Sequence, residues 1–491
     1  MHYTHQKKTP LLTALSRAAD NGNLSFDVPG HKKGALRTRF SDALDRQGLR
    51  LDMNSMPELD LLDHPRGVIK DAESLLANLY GADEAFFLVN GSTFGVQAMI
   101  FSACQPGAKI LLPRNVHKSA INALILTGAV PVFLQPETDP RWGISHGITL
   151  DAVKEAVSEN PDAAALLVVN PTYYGAASDL AAIVAYCHRR RIAVLVDEAH
   201  GAHLHFHEDL PASAMDCGAD LSTMSLHKTC GSLTQSSALL VNEGLVDHQT
   251  VRGAINLMQT TSASYLLMAS LDATRALLAT EGQERLSRLL PQVAAARGRI
   301  AAVPGLEVLS AADVGRPGIF AYDGTKIAVK VNDLGISGYE AYRAMREKYG
   351  IQLELSEPHT VLAICSFADD AGTLARLAEA FEALSREYFG RRPPLEAWGS
   401  DPLGIVALPR PRLVVPPRDA FYAPSRIVPI SEAEGEISGE SLMAYPPGIP
   451  LVIPGERLTR DVIRQYEFIL ENKGTIINEQ DNPRFVRILG A

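Results

Sequence analysis

The chain has few cysteines, no long apolar run and no surplus of basic residues, and each shortage removes a class of protein. Five cysteines, Cys104, Cys187, Cys217, Cys230 and Cys365, are scattered over 491 residues with no CxxC pair. That spacing offers neither a zinc site nor a disulfide framework and fits a reducing cytoplasm. No uninterrupted apolar segment is long enough to span a bilayer, and no apolar stretch of signal length follows residues 1–10. Lysine and arginine number 46 against 56 acidic residues, a net charge of −10. This balance argues against nucleic acid as the main partner and is compatible with a small cationic substrate. What is present is ordinary globular material, 46% hydrophobic and 21% charged, long enough for two or three domains.

Short apolar runs at 85–89, 109–112, 130–134, 164–169 and 192–196 read as strands alternating with helical stretches. The pattern predicts an α/β fold with a mostly parallel sheet, and polar residues follow the strand C-termini, where such sheets bind ligands. Helices are expected over 11–20, about 66–80 up to Gly81, and 263–301. Strands at 326–331 and 361–365 flank a helix at 338–349 and predict a smaller α+β domain. From Arg391 onward the prolines multiply (Pro393, Pro394, Pro402, Pro409, Pro411, Pro416, Pro417), marking a linker into a last α+β unit. The expected division is an N-terminal arm over 1–60 with an extended stretch at 23–34, a large domain over 61–285, a small domain over 286–390 and a C-terminal domain over 391–491. No internal repeat or low-complexity tract occurs.

Chemistry concentrates at two strand ends. Asp197 opens Asp-Glu-Ala-His-Gly-Ala-His after the apolar run 192–196, and Lys228 lies in Ser225-Leu226-His227-Lys228-Thr229, where the strand 220–224 is expected to open into a loop. A lysine amine that can form a Schiff base, with an aspartate that can keep a pyridine nitrogen protonated, is what pyridoxal 5′-phosphate (PLP) requires. Gly91-Ser92-Thr93, between a strand and a helix, offers backbone N–H groups and two hydroxyls as a phosphate cradle. His117 follows the next strand and is placed to lie on a pyridine ring, while His200 can support the ring or its O3′. His227 adjoins the lysine and can bind phosphate or protonate a carbanion. Ser225 can contact phosphate, and Thr260, Thr261 and Ser262 offer further hydroxyls, to the phosphate of a neighbouring subunit. His203, His205 and His207 alternate as metal ligands on a strand would, but no cysteine or carboxylate cluster completes a site, and no metal is expected.

In this order the motifs resemble the basic amino-acid decarboxylases of the ornithine/lysine/arginine class, of the aspartate-aminotransferase fold (PLP fold type I). The chain is most similar to their short bacterial biosynthetic arginine/lysine forms. The likeness runs nearly end to end: Asp27-Val28-Pro29-Gly30-His31-Lys32-Lys33-Gly34, Phe87-Leu88-Val89-Asn90-Gly91-Ser92-Thr93, Arg114-Asn115-Val116-His117-Lys118-Ser119, the Asp197 and Lys228 segments, and Tyr445-Pro446-Pro447-Gly448-Ile449-Pro450. It implies Lys228 as Schiff-base lysine, Asp197 at the pyridine nitrogen, His117 on the ring face, Ser92 and Thr93 at phosphate, and a homodimer or larger assembly with interface active sites. It further implies decarboxylation of a basic L-amino acid, first arginine to agmatine and CO2 for polyamine biosynthesis, then lysine, ornithine or an unusual cationic amino acid. A different PLP reaction and a non-catalytic homologue are the remaining readings. His31, Glu354, Glu440 and Glu456 are candidates on the substrate side. Three departures stand out: residues 58–65 in place of a Leu-Asp-Asp-Leu-His run, Ala263 for proline, and Cys230 for leucine.

Overall fold

The structure, a computed structural model, describes residues 3–20, 27–29, 31–33, 35–36, 38–43, 46–139, 141–395, 409–445, 448–471 and 474–490. Residues 23–26, Gly30 and Gly34 of the expected arm, Pro402 of the linker, and Pro446 and Pro447 lie outside the described residues. Two compact units interleave along the chain. The first is Met1–Ser102, Leu195–Glu208 and Ala212–Leu286; the second is Ala103–Val194, Asp209–Pro211 and Ser287–Ala491.

In the first unit, strand Glu84–Leu88 pairs antiparallel with Ser237–Val241, which pairs antiparallel with Leu221–Met224. Leu221–Met224 in turn runs parallel to the end of Ala193–Asp197. Only Ser237–Val241 runs against the others. Nearly every residue of these strands is buried, which is why they read as unbroken apolar runs rather than alternating ones. Helix Val68–Tyr80 packs on Glu84–Leu88, buries Ile69, Ala72, Leu76 and Tyr80, and stops at Gly81, whose φ of 71° suits glycine. Its start explains part of the divergent 58–65 segment. The Asp60 carboxylate accepts the N–H groups of Gly67 at 2.7 Å and Ile69 at 3.2 Å, capping the first turn. Burial raises the Asp60 pKa, but the N–H groups of Arg66, Leu61, Gly67 and Lys70 outweigh it and hold the group below its ordinary value. The N-terminal helix Pro10–Asp20 is tied down by Asp272, which accepts from Leu11 N–H at 3.0 Å and pairs with buried Arg275.

In the second unit, strand Lys109–Pro113 pairs in parallel with Val130–Leu134 and with Ala165–Val169. A separate antiparallel sheet orders Glu307–Val308, Lys326–Lys330, Thr360–Ile364 and Leu355–Ser356. Helix Gly338–Tyr349 follows the sequence closely: Ser337 and Glu340 form a capping box and Gly350 closes it at φ 65°. The C-terminal residues build their own core from Val428, Leu442, Val452, Leu458, Val462, Tyr466, Val486 and Ile488, under helix Arg460–Glu471. Among the described residues, no helix is long and apolar enough to cross a membrane.

Candidate active site

The parallel register sets Asp197 beside Thr223, so 31 residues of sequence separation between Asp197 and Lys228 collapse to adjacent strand ends. The expected loop after Met224 is instead a single helical turn, Leu226–Thr229, closed by Cys230 N–H to Leu226 O at 2.9 Å. Lys228 rides on that turn, half-buried, with Nζ 3.0 Å from His200 Nε2. A lysine ammonium can only donate, so Nε2 of His200 then accepts and the imidazole proton sits on Nδ1. Asp197 is buried and takes Ala199 N–H at 3.2 Å. Burial raises its pKa, while the Lys228 charge and that N–H pull it back down. A carboxyl so placed gains from any further positive charge brought to it.

Glu198, the next residue, was not singled out by sequence. It is fully buried, accepting Ala214 N–H at 2.8 Å and lying 2.9 Å from Ser222 Oγ. Burial pushes its pKa up to about 8, against the pull of both partners. It ties the turn after Asp197 to the strand that leads to Lys228.

Helix Gly91–Ala103 starts at Gly91, with φ 71° and its N–H given to Gln235 O at 2.9 Å. Later N–H groups of this first turn have no acceptor within the helix. Buried Ser92 Oγ lies 2.8 Å from buried Ser225 Oγ, so two hydroxyls converge at the helix start, and Thr93 is half-buried beside them. Gly95 is required one turn on, because a Cβ there would overlap the Thr223 hydroxyl; the helix rests directly on strand Leu221–Met224. His227 donates Nδ1–H to Ser236 O at 2.9 Å, the only sense possible with a carbonyl, which leaves the lone pair on Nε2 when the ring is neutral. Burial lowers its pKa, and the Lys228 charge adds to that.

The remaining candidates are placed as follows. In the first unit His31 Nε2 meets Asp52 at 3.1 Å, and Thr260, Thr261 and Ser262 are exposed. His203, His205 and His207 lie around a short 3-10 turn rather than on one strand face, and His205 pairs with Asp216. In the second unit His117 is the N-cap of helix Lys118–Thr127, its Nδ1 accepting Ser119 N–H at 3.2 Å and lying 2.9 Å from Ser119 Oγ. Glu456 is buried in a two-pronged pair with Arg114, both contacts 2.9 Å. Glu440, also buried, accepts the N–H groups of Arg487 and Glu479 and the Gln480 amide. Glu354 is exposed. One further acidic residue of this unit meets a tyrosine: Glu357 accepts the Tyr174 hydroxyl at 2.7 Å, and burial pushes its pKa up to about 7. No local motif marks it, since Tyr174 is 183 residues away.

Residues 9–373 match the Orn/Lys/Arg decarboxylase major domain, and residues 408–475 match the C-terminal domain of the same family. The chain belongs to the Orn/Lys/Arg decarboxylase family. It is 44% identical over 460 residues to the arginine decarboxylase of Halalkalibacterium halodurans, covering 93% of this chain and 92% of that one. It is 43% identical over 460 residues to the arginine decarboxylase of Bacillus subtilis, covering 93% of each. Among solved structures, the lysine decarboxylase LdcF of Francisella novicida superposes with a TM-score of 0.84 at 20% identity, over 98% of this chain and 81% of that chain. The shared architecture is that of PLP fold type I, as the motifs led one to expect. A member of the Orn/Lys/Arg decarboxylase family is a carboxy-lyase, and the protein is a decarboxylase.

Proposed function

We propose that the protein converts L-arginine to agmatine and CO2 with PLP as cofactor. The observation that carries the choice of arginine is the 43–44% identity, along 93% of the chain, to proteins named arginine decarboxylase. The residues of the first unit fit the cofactor by their chemistry. Lys228 would carry it covalently, buried Asp197 would face its ring nitrogen, and Ser92, Thr93 and Ser225 at a helix start would hold its phosphate. His200 would steady the Lys228 amine, and His117 would cover the ring face. When bound, PLP supplies the electron sink for the charge left at Cα as CO2 departs.

The chain's own residues must then deliver a proton to Cα. His227 is the weaker candidate, because its Nδ1 proton is committed to Ser236 O and burial lowers its pKa. Lys228, with its amine against His200 Nε2, is the better donor. Asp197, His200, Ser92 and Ser225 are all buried, so the surroundings exclude water and strengthen each of these contacts.

The cationic end of the substrate needs a carboxylate. Glu440 and Glu456 are occupied by internal partners, whereas the Glu354 carboxylate has no hydrogen bond or ion pair among the described residues. Glu354 is therefore the proposed contact, and a planar guanidinium suits it through two parallel hydrogen bonds. The exposed hydroxyls of Thr260, Thr261 and Ser262 are proposed to serve a second copy in a cytoplasmic homodimer or larger assembly. The test is amine and CO2 analysis with arginine, lysine, ornithine and diaminopimelate at equal concentration, read as relative kcat/KM. Arginine should lead; a higher value for another of them would overturn the substrate assignment.

A further inference from the structure

Helix Lys118–Thr127 is gripped at both ends by the C-terminal part of the chain. Before its start, Arg114 makes two 2.9 Å contacts to Glu456 and a third 2.9 Å contact to Leu451 O. Glu456 is itself fixed by Ile453 N–H at 2.9 Å, and Arg114 lies 4.7 Å from the centre of the Phe133 ring. Both charged groups are 1% exposed. At the other end, Arg418 on helix Pro417–Tyr422 donates Nε–H to Ile125 O at 2.9 Å and Nη2–H to Leu126 O. Those carbonyls belong to the last turn, which has no helical donors of its own and favours positive charge. Gly128, at φ 73°, ends the helix; a Cβ there would stand 2.9 Å from Arg418 Nη1.

Between the two grips stands His117, the helix N-cap, three residues beyond Arg114. A buried ion pair adds little net stability over apolar side chains of the same volume. What it does add is direction, since paired N–H···O bonds hold the two backbones in one register. Arg114 and Glu456 are 342 residues apart, so that register couples the C-terminal domain to the loop presenting His117.

We propose that the C-terminal domain is a two-point clamp on the His117 helix, with Arg114, Glu456 and Arg418 as positioning residues for the His117 imidazole. The inference rests on the reading that His117 covers the cofactor ring. The experiment uses full-length protein, with cofactor and stripped of it, carrying Glu456→Gln, Arg418→Met, or Arg114→Met together with Glu456→Leu. The double variant leaves no buried unpaired charge, so it carries the test if Glu456→Gln does not fold. In the stripped protein, amide hydrogen exchange over residues 118–127 should rise about tenfold, with helix Val68–Tyr80 unchanged. PLP affinity should fall about tenfold, the visible circular dichroism of the bound cofactor should shrink, and kcat for arginine should fall more than KM rises. Unchanged exchange and dichroism in folded variants would overturn the clamp. So would a Glu456→Gln protein in which only KM for arginine moves, because Glu456 would then be a substrate contact. His117→Ala separates the two readings: if it leaves PLP affinity and dichroism intact while the clamp variants still speed exchange, the ring-face role falls and the clamp on the helix stands.

Discussion

Asp197 and Glu456 are both buried acids, yet only one of them is marked by a local motif in the sequence. Asp197 sits where a buried strand ends, and its surroundings are dictated by neighbours within a few dozen residues: the strand before it, Glu198 beside it, and the Lys228 turn on the adjoining strand. Glu456 takes its meaning from Arg114, 342 residues away, and from a fold of the chain that no local pattern encodes. Asp197 is legible because a local motif carries it, an acid at one strand end and a lysine after the next, whereas Glu456 is opaque because its partner is 342 residues away.

The strongest way to break this contrast is at the readable end. Lys228→Ala should lose several orders of magnitude in turnover, because the lysine proposed to form the Schiff base is removed with it. Borohydride reduction of the wild-type protein followed by peptide mapping should label Lys228, and a label on another lysine would refute the assignment. Asp197→Asn should retain PLP yet lose roughly 10²–10³-fold in kcat, the scale for deleting one preorganised electrostatic partner. Near-normal turnover in that variant would mean that another group stabilises the ring nitrogen.

How far the sequence reaches can be judged from particular elements. Helix Gly338–Tyr349 is bounded where its capping box and Gly350 say, and the strands of both units lie where the apolar runs lie. Local chemistry decides those features. The turn carrying Lys228 reads as a loop in sequence because four residues, Leu226–Thr229, are too few for a periodic signal. Asp60 falls in the divergent 58–65 segment, and its carboxylate caps helix Val68–Tyr80, seven residues or more further on, which no local pattern marks. Glu198 carries no mark of its own in sequence although it adjoins Asp197, because its contacts depend on Ala214 and Ser222 closing around it. Strand Ser237–Val241 is not among the expected strands, and the direction in which it runs is a tertiary choice as well.

Glu198 gives a prediction that turns on pH. Burial lifts its pKa in the folded protein from the ordinary 4.5 to about 8. A raised acid pKa means that the folded state binds the proton more tightly than the unfolded state. The group therefore costs nothing below about pH 4.5, and stability declines as pH climbs from there toward 8. Glutamine cannot ionise and can keep both contacts, its oxygen accepting Ala214 N–H and its NH2 donating to Ser222. Glu198→Gln should match the wild type at pH 4.5 and gain on it by a few kcal/mol by pH 8.5, as an upper scale for a fully buried group. Urea unfolding at both pH values checks this, and a difference that stays constant with pH would show that Glu198 does not titrate in this range.

The smallest effect tests the opaque side of the contrast, where three glutamates were equal candidates in sequence. Glu354→Gln removes a charge from an exposed carboxylate with no partner among the described residues, so the fold should be indifferent. A lost charge-assisted hydrogen bond, weakened by solvent, should raise KM for arginine roughly tenfold with kcat little changed. Glu440→Gln should behave oppositely. Its oxygens accept the N–H groups of Arg487 and Glu479, so an amide NH2 would face a donor, and stability should fall by about 1–3 kcal/mol with KM nearly unmoved. The pair is decisive because both changes are chemically identical. If Glu440→Gln moved KM and Glu354→Gln did not, the assignment of the cationic end would have to be exchanged. If arginine suffered more than lysine in Glu354→Gln, the two-pronged contact would be the reason for preferring arginine, since an ammonium offers the carboxylate a point charge that a neutral amide oxygen replaces more easily.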